Sequence, residues 1–144
     1  MNGNRNQNRN KKQKPSFYED AKNYIDDMMV LIDMEKHSAE EIKNALKKLD
    51  RAIELMRHDK NIVKTHQLRT IYNLLRNVDD LKELYALIPK LKYIASRQKG
   101  KSGKFVADLI VGLIEKIENE NQIKGLVYVM ESIIAFHKYH HGEK

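Results

Sequence analysis

From position 16 onward, apolar residues recur at intervals of three and four, the spacing that lines one face of an α-helix. Ala21, Tyr24, Ile25, Met28 and Ile32 form the first such stripe, and Ile42, Ala45, Leu46, Leu49, Ile53 and Met56 the second. Each follows a capping-box pattern, Ser16 with Glu19 and Ser38 with Glu41, in which a hydroxyl and a carboxylate satisfy the open amides of a helix start. Thr65 offers an N-cap for a third helix with Leu68, Ile71, Tyr72, Leu75 and Val78 inward. Asp79 or Asp80 caps a fourth through Leu81, Leu84, Leu87 and Ile88. At Pro89 either the helix kinks or a new one begins with proline in its first turn, where the missing N–H costs nothing. Leu91, Ile94 and Ala95 continue the stripe, and the run Gly100 to Gly103 breaks it. Val106 to Ile117 and Ile123 to Tyr139 supply the last helices. No alternating β-branched run appears, so the pattern predicts an all-α bundle of five to six helices in one domain over residues 16–144.

Residues 1–15 break this pattern. MNGNRNQNRNKKQK holds no acid and no apolar side chain beyond the first Met, so ordering it would be offset by no burial, and a disordered basic tail is expected. With 41% hydrophobic and 33% charged residues the rest has a globular composition, and no run approaches the ~18 apolar residues of a bilayer span. No apolar segment follows the basic N-terminus, so a secretory signal and a membrane partner are not expected and a cytoplasmic protein is. The absence of cysteine removes disulfides, thiol nucleophiles and cysteine–zinc sites.

The net charge of +7 is unevenly placed. The tail through Ser16 contributes +5, residues 17–41 are acidic at −6, 42–76 are basic at +6, and 84–104 carry six basic residues and no acid. The acidic and basic blocks either pack on one another within one molecule or offer complementary ends for head-to-tail association of copies.

Little of this supports catalysis. His137 and His141 have helical metal-ligand spacing but no third ligand, and read as frayed surface histidines near the C-terminus. His58, Asp59 and His66 have no nucleophile to serve, and no carboxylate pair is placed for acid–base work. Lys99 to Lys104 has the glycines and lysines of a phosphate loop, but too few residues separate Gly100 from Gly103 and Phe105 follows Lys104 in place of a hydroxyl residue. A flexible basic loop is expected there, able to reach a phosphate backbone as many solvated linkers can. No cofactor or metal is implied.

The acid-free stretch is more informative. At about 100° per residue, Lys90 and Arg97 share a face turned away from the stripe of Leu87, Leu91, Ile94 and Ala95, with Tyr93 between them. Cations flanking an outward aromatic suit a polyanion, since the cations meet phosphates and the ring stacks or packs on a sugar or base. The alternative is a solvated face on which Tyr93 packs against a neighbouring helix. Arg69 and Arg76 likewise share a face beside a buried stripe.

Three stretches, 65–72, 87–97 and 131–138, resemble in order and spacing the signature segments of the small subunit of the type III-A CRISPR effector, the Csm complex. Lys92 and Ser96 stand where small apolar residues or glycine are expected, and Phe136 where tyrosine is common. The resemblance implies a small helical protein without catalytic activity. Its copies stack head to tail beside the backbone subunits and contact the guide RNA–target RNA duplex without reading sequence. By resemblance, Arg69, Lys90 and Arg97 are the contacts; Arg76, Tyr93, Lys99, Lys101 and Lys104 are added from helical geometry and the loop. A helical DNA-binding regulator with 65–78 as recognition helix, and a protein-only adaptor, are the alternatives.

Overall fold

A computed structural model describes residues 20–142. The expected tail and the Ser16–Glu19 capping box lie outside the described residues. A short 3-10 turn, Ala21–Tyr24, leads into α1 (Ile25–Ile32), followed by α2 (Ala39–Glu54), α3 (Thr65–Arg76), α4 (Leu81–Ala86), α5 (Ile88–Ser96), α6 (Lys101–Lys116) and α7 (Asn121–His141). With α4 and α5 taken as one element broken at Leu87, the described residues form six helices and no strand, as the periodicity predicts.

The starts of these helices follow from local chemistry. Ser38 Oγ accepts from Glu41 N at 3.1 Å while Glu41 Oε1 accepts from Ser38 N at 2.8 Å, so the second expected capping box is complete. The hydrogen bond from the Ser38 amide holds the Glu41 carboxyl below the ordinary carboxylate range. Asp80 is the cap of α4, accepting from Glu83 N at 2.8 Å. A new helix, α5, begins at Ile88, with Pro89 in its first turn.

Thr65 is not the N-cap of α3. Lys64 occupies that position, and Gln67 Oε1 accepts from its backbone N–H at 2.9 Å. The Thr65 hydroxyl is 3.4 Å from His137 Nδ1 instead, drawn there by a buried imidazole that local sequence does not reveal.

The core is one cluster built around two helices. In α6 the buried residues Phe105, Val106, Ala107, Leu109, Ile110, Val111, Leu113 and Ile114 cover most of the circumference, as a helix surrounded by others requires. It packs against α5, α4, α3 and the 3-10 turn, where Tyr24 meets Phe105 edge-on at 5.3 Å. Helix α7 packs against α1, α2 and α3, and α1 bridges α6 and α7. Gly125 of α7 lies so close to the Ile32 backbone that a Cβ would sit 2.6 Å from Ile32 Cα. Only glycine allows α1 and α7 to approach this closely.

The acidic and basic blocks meet within the molecule. Helix α1 lies on α2, and Lys48 Nζ contacts Asp27 Oδ2 at 2.5 Å. Part of the charge separation read from the sequence is therefore used in the fold itself.

Candidate nucleic-acid interface

Helix α5 divides its residues as its periodicity dictates. Leu91 and Ala95 are buried against α6, while Lys90, Tyr93 and Arg97 are exposed on the far side. Tyr93 is 62% exposed, so no neighbouring helix covers it. Arg97 Cζ lies 5.9 Å from the Tyr93 ring centroid, within cation–π range, so the guanidinium and ring form one exposed unit. Neither Lys90 nor Arg97 pairs with a carboxylate among the described residues. Lys92 and Ser96 are also exposed, so their polarity costs the core nothing.

The stretch from Lys99 to Lys104 is not a flexible loop. Gly100 is the N-cap of α6 and Lys101 its first residue, five positions before the apolar stripe begins at Val106. Three tertiary contacts extend the helix. Asp59 Oδ2 accepts from Ser102 N at 2.7 Å, supplying the acceptor that the first turn lacks. The buried Ser102 hydroxyl accepts from Val63 N at 2.8 Å. Gly100 packs so tightly on the Asn61 carbonyl and the Asp59 carboxylate that a Cβ would collide with both. Burial pushes the Asp59 carboxyl up, but the hydrogen bonds from Ser102 and Asn61, with the charge of Lys101, outweigh it and hold the group below its ordinary range. Lys99, Lys101 and Lys104 are exposed, and Lys104 pairs with Asp108 at 2.7 Å, one turn along α6.

Arg69 and Arg76 lie on a different element. Both are exposed on α3, beside a cavity of about 310 Å³ between α3 and α7 that Tyr72 and Glu131 also line. The Tyr72 hydroxyl donates to Glu131 Oε2 at 3.2 Å, and Arg76 Cζ lies 5.6 Å from the Tyr72 ring centroid. The eight candidates thus form two patches, one on α5 and the start of α6, the other on α3.

The C-terminal histidines are anchors, which corrects their reading as frayed. His137 is buried, and its Nε2–H donates to the Val63 carbonyl at 2.6 Å, leaving Nδ1 to face Thr65. Burial pushes its pKa down, the Val63 carbonyl opposes, and His141 adds to the depression. His141 Nε2 meets the Ile53 carbonyl at 2.7 Å, and His140 Nε2 meets Asp50 Oδ1 at 2.6 Å. These partners stand far away in sequence, so only the spacing of the three histidines was visible, and it carried no sign of burial.

The type III-A Csm2 family model matches residues 39–143, which takes in α2 through α7 and every candidate residue. The chain belongs to the Csm2 family. No curated protein and no solved structure matches it. Membership makes it the small, structural subunit of a type III-A CRISPR effector, with other Csm subunits as partners. No helix among the described residues is long and apolar enough to cross a membrane.

Proposed function

We propose that this Csm2-family chain is a non-catalytic RNA-binding subunit that follows the backbone of the guide RNA–target RNA duplex without reading its sequence. The observation that carries the proposal is the outer face of α5, where Lys90, Tyr93 and Arg97 stand exposed with no carboxylate partner among the described residues. Unpaired cations are the groups that displace counterions from phosphate, and an exposed ring beside them offers a sugar- or base-packing surface. Arg69 and Arg76 on α3 add a second cationic patch, and the exposed Lys99, Lys101 and Lys104, the last paired with Asp108, border the α5 face near the start of α6. The backbone subunit and neighbouring copies of the chain are the protein partners in this reading.

The test is duplex RNA binding by the assembled complex at several salt concentrations. Replacing Arg69, Lys90 and Arg97 together with Gln should lower the magnitude of the log–log salt slope by roughly 0.7–0.9 for each lost phosphate contact. An unchanged slope in a complex that still assembles assigns the contacts elsewhere. Unequal competition by unrelated DNA sequences would instead favour a regulator, and full activity with no RNA contact a protein-only adaptor.

A further inference from the structure

Where α3 begins and α7 ends, the two helices enclose a cavity of about 560 Å³. Lys64, Arg69 and Lys138 line it, with the histidines His66, His137 and His141, and no carboxylate is among its lining residues within the described part of the chain. None of the three cations pairs with an acid among the described residues. Two other concave sites among the described residues do contain acids. The α3–α7 groove beside Tyr72 contains Glu131, and a cavity near the 3-10 turn sets Asp20, Asp108 and Glu115 against its lysines.

Three like charges around one cavity repel one another, and a multiply charged anion relieves that repulsion while gaining charge-assisted hydrogen bonds. One wall is fixed. His137 is held between Val63 and Thr65, and His141 is tied to Ile53, so that wall does not have to be organised on binding, while the three cationic side chains are exposed around it. The volume lies within the roughly 300–1,000 Å³ of small-molecule sites and exceeds what one phosphate fills.

We propose that this cavity is a binding site for a phosphate monoester of nucleotide size, with Lys64, Arg69 and Lys138 as the phosphate-holding groups. The site is separate from the α5 face and needs no duplex, so it goes beyond the function proposed above and shares only Arg69 with it. A free nucleotide and the phosphorylated end of an oligonucleotide present the same group.

Nuclear magnetic resonance titration of the full chain with adenosine monophosphate, at constant ionic strength, tests the proposal. Saturable shifts should centre on the amides of Thr65, His66, Arg69 and Lys138. The double variant Lys64→Gln, Lys138→Gln should bind at least about tenfold more weakly, while Lys90→Gln binds as the parent. Both lysines are exposed, so these variants should keep the parent spectrum elsewhere. Tighter binding of a 5′-phosphorylated oligonucleotide than of the nucleotide, with loss of affinity for its 5′-hydroxyl counterpart, identifies a strand end as the source. Preference for the mononucleotide identifies a free one. Shifts that do not saturate, that centre on α5, or that persist unchanged in the double variant overturn the proposal. Because neither Lys64 nor Lys138 belongs to the proposed duplex contacts, a normal salt slope in the double variant separates the two readings.

Discussion

The outer face of α5 and the last turns of α7 each gather polar and aromatic side chains, and the molecule uses them in opposite ways. In the last turns of α7 the three histidines are engaged, although Tyr139 beside them is 82% exposed: His137 holds the Val63 carbonyl, His141 the Ile53 carbonyl and His140 the Asp50 carboxylate. On α5 Tyr93 is exposed, Arg97 touches only its ring, and Lys90 faces solvent. Polar groups that the fold needs are buried and partnered, because an unmet buried donor or acceptor costs about 1–3 kcal/mol. On α5 Lys90 and Arg97 instead stay exposed with no acid partner among the described residues. Location in sequence and residue type do not separate these cases. Partnering does.

The contrast breaks first at the α1–α7 contact that seats the α7 side. Gly125→Val drives a branched side chain into the Ile32 backbone, and chemical denaturation should show a loss of about 3 kcal/mol or more. Next, His137→Ala leaves the Val63 carbonyl unmet and opens a void, for a loss of about 2–4 kcal/mol by the same measurement. Ser102→Ala removes the acceptor of the Val63 N–H and should cost about 1–3 kcal/mol. At the other extreme, Lys90→Gln with Arg97→Gln should leave stability within about 0.5 kcal/mol of the parent. A large loss there would show that α5 uses these cations internally, which would undo the comparison.

Proton linkage sharpens it further. Because the folded pKa of His137 is depressed, the unfolded chain binds more protons once pH falls below its ordinary value of about 6.5. Its contribution to stability is fully present above that value and is lost as pH drops toward the folded pKa. Denaturation midpoints measured from pH 7 to 5 should therefore fall, and His137→Gln should flatten the fall. An identical pH profile in that variant would remove His137 as its source.

The α-helical class, the stripes of α2, α3 and α5, the Ser38–Glu41 box and the break at Pro89 were all legible in the sequence, because each depends on residues within a turn or two of one another. The outward position of Lys90, Tyr93 and Arg97 was legible for the same reason. The stretch from Gly100 to Lys104 was not. Its glycines signal a break when only neighbours are considered, and its helix depends on Asp59, Asn61 and Val63, which lie far back in the chain.

By itself, then, the sequence determined which residues face inward on each helix and where an acid-free, aromatic-bearing surface lies, since helical geometry turns spacing directly into direction. The tertiary structure decided which of the polar residues are architecture. Asp59 became the acceptor for the first turn of a helix, Thr65 the neighbour of an imidazole, and His137 and His141 anchored residues lining a cavity that Lys64, Arg69 and Lys138 also line. A hydrogen bond between residues many helical turns apart leaves no periodicity behind, so only the packed chain shows it.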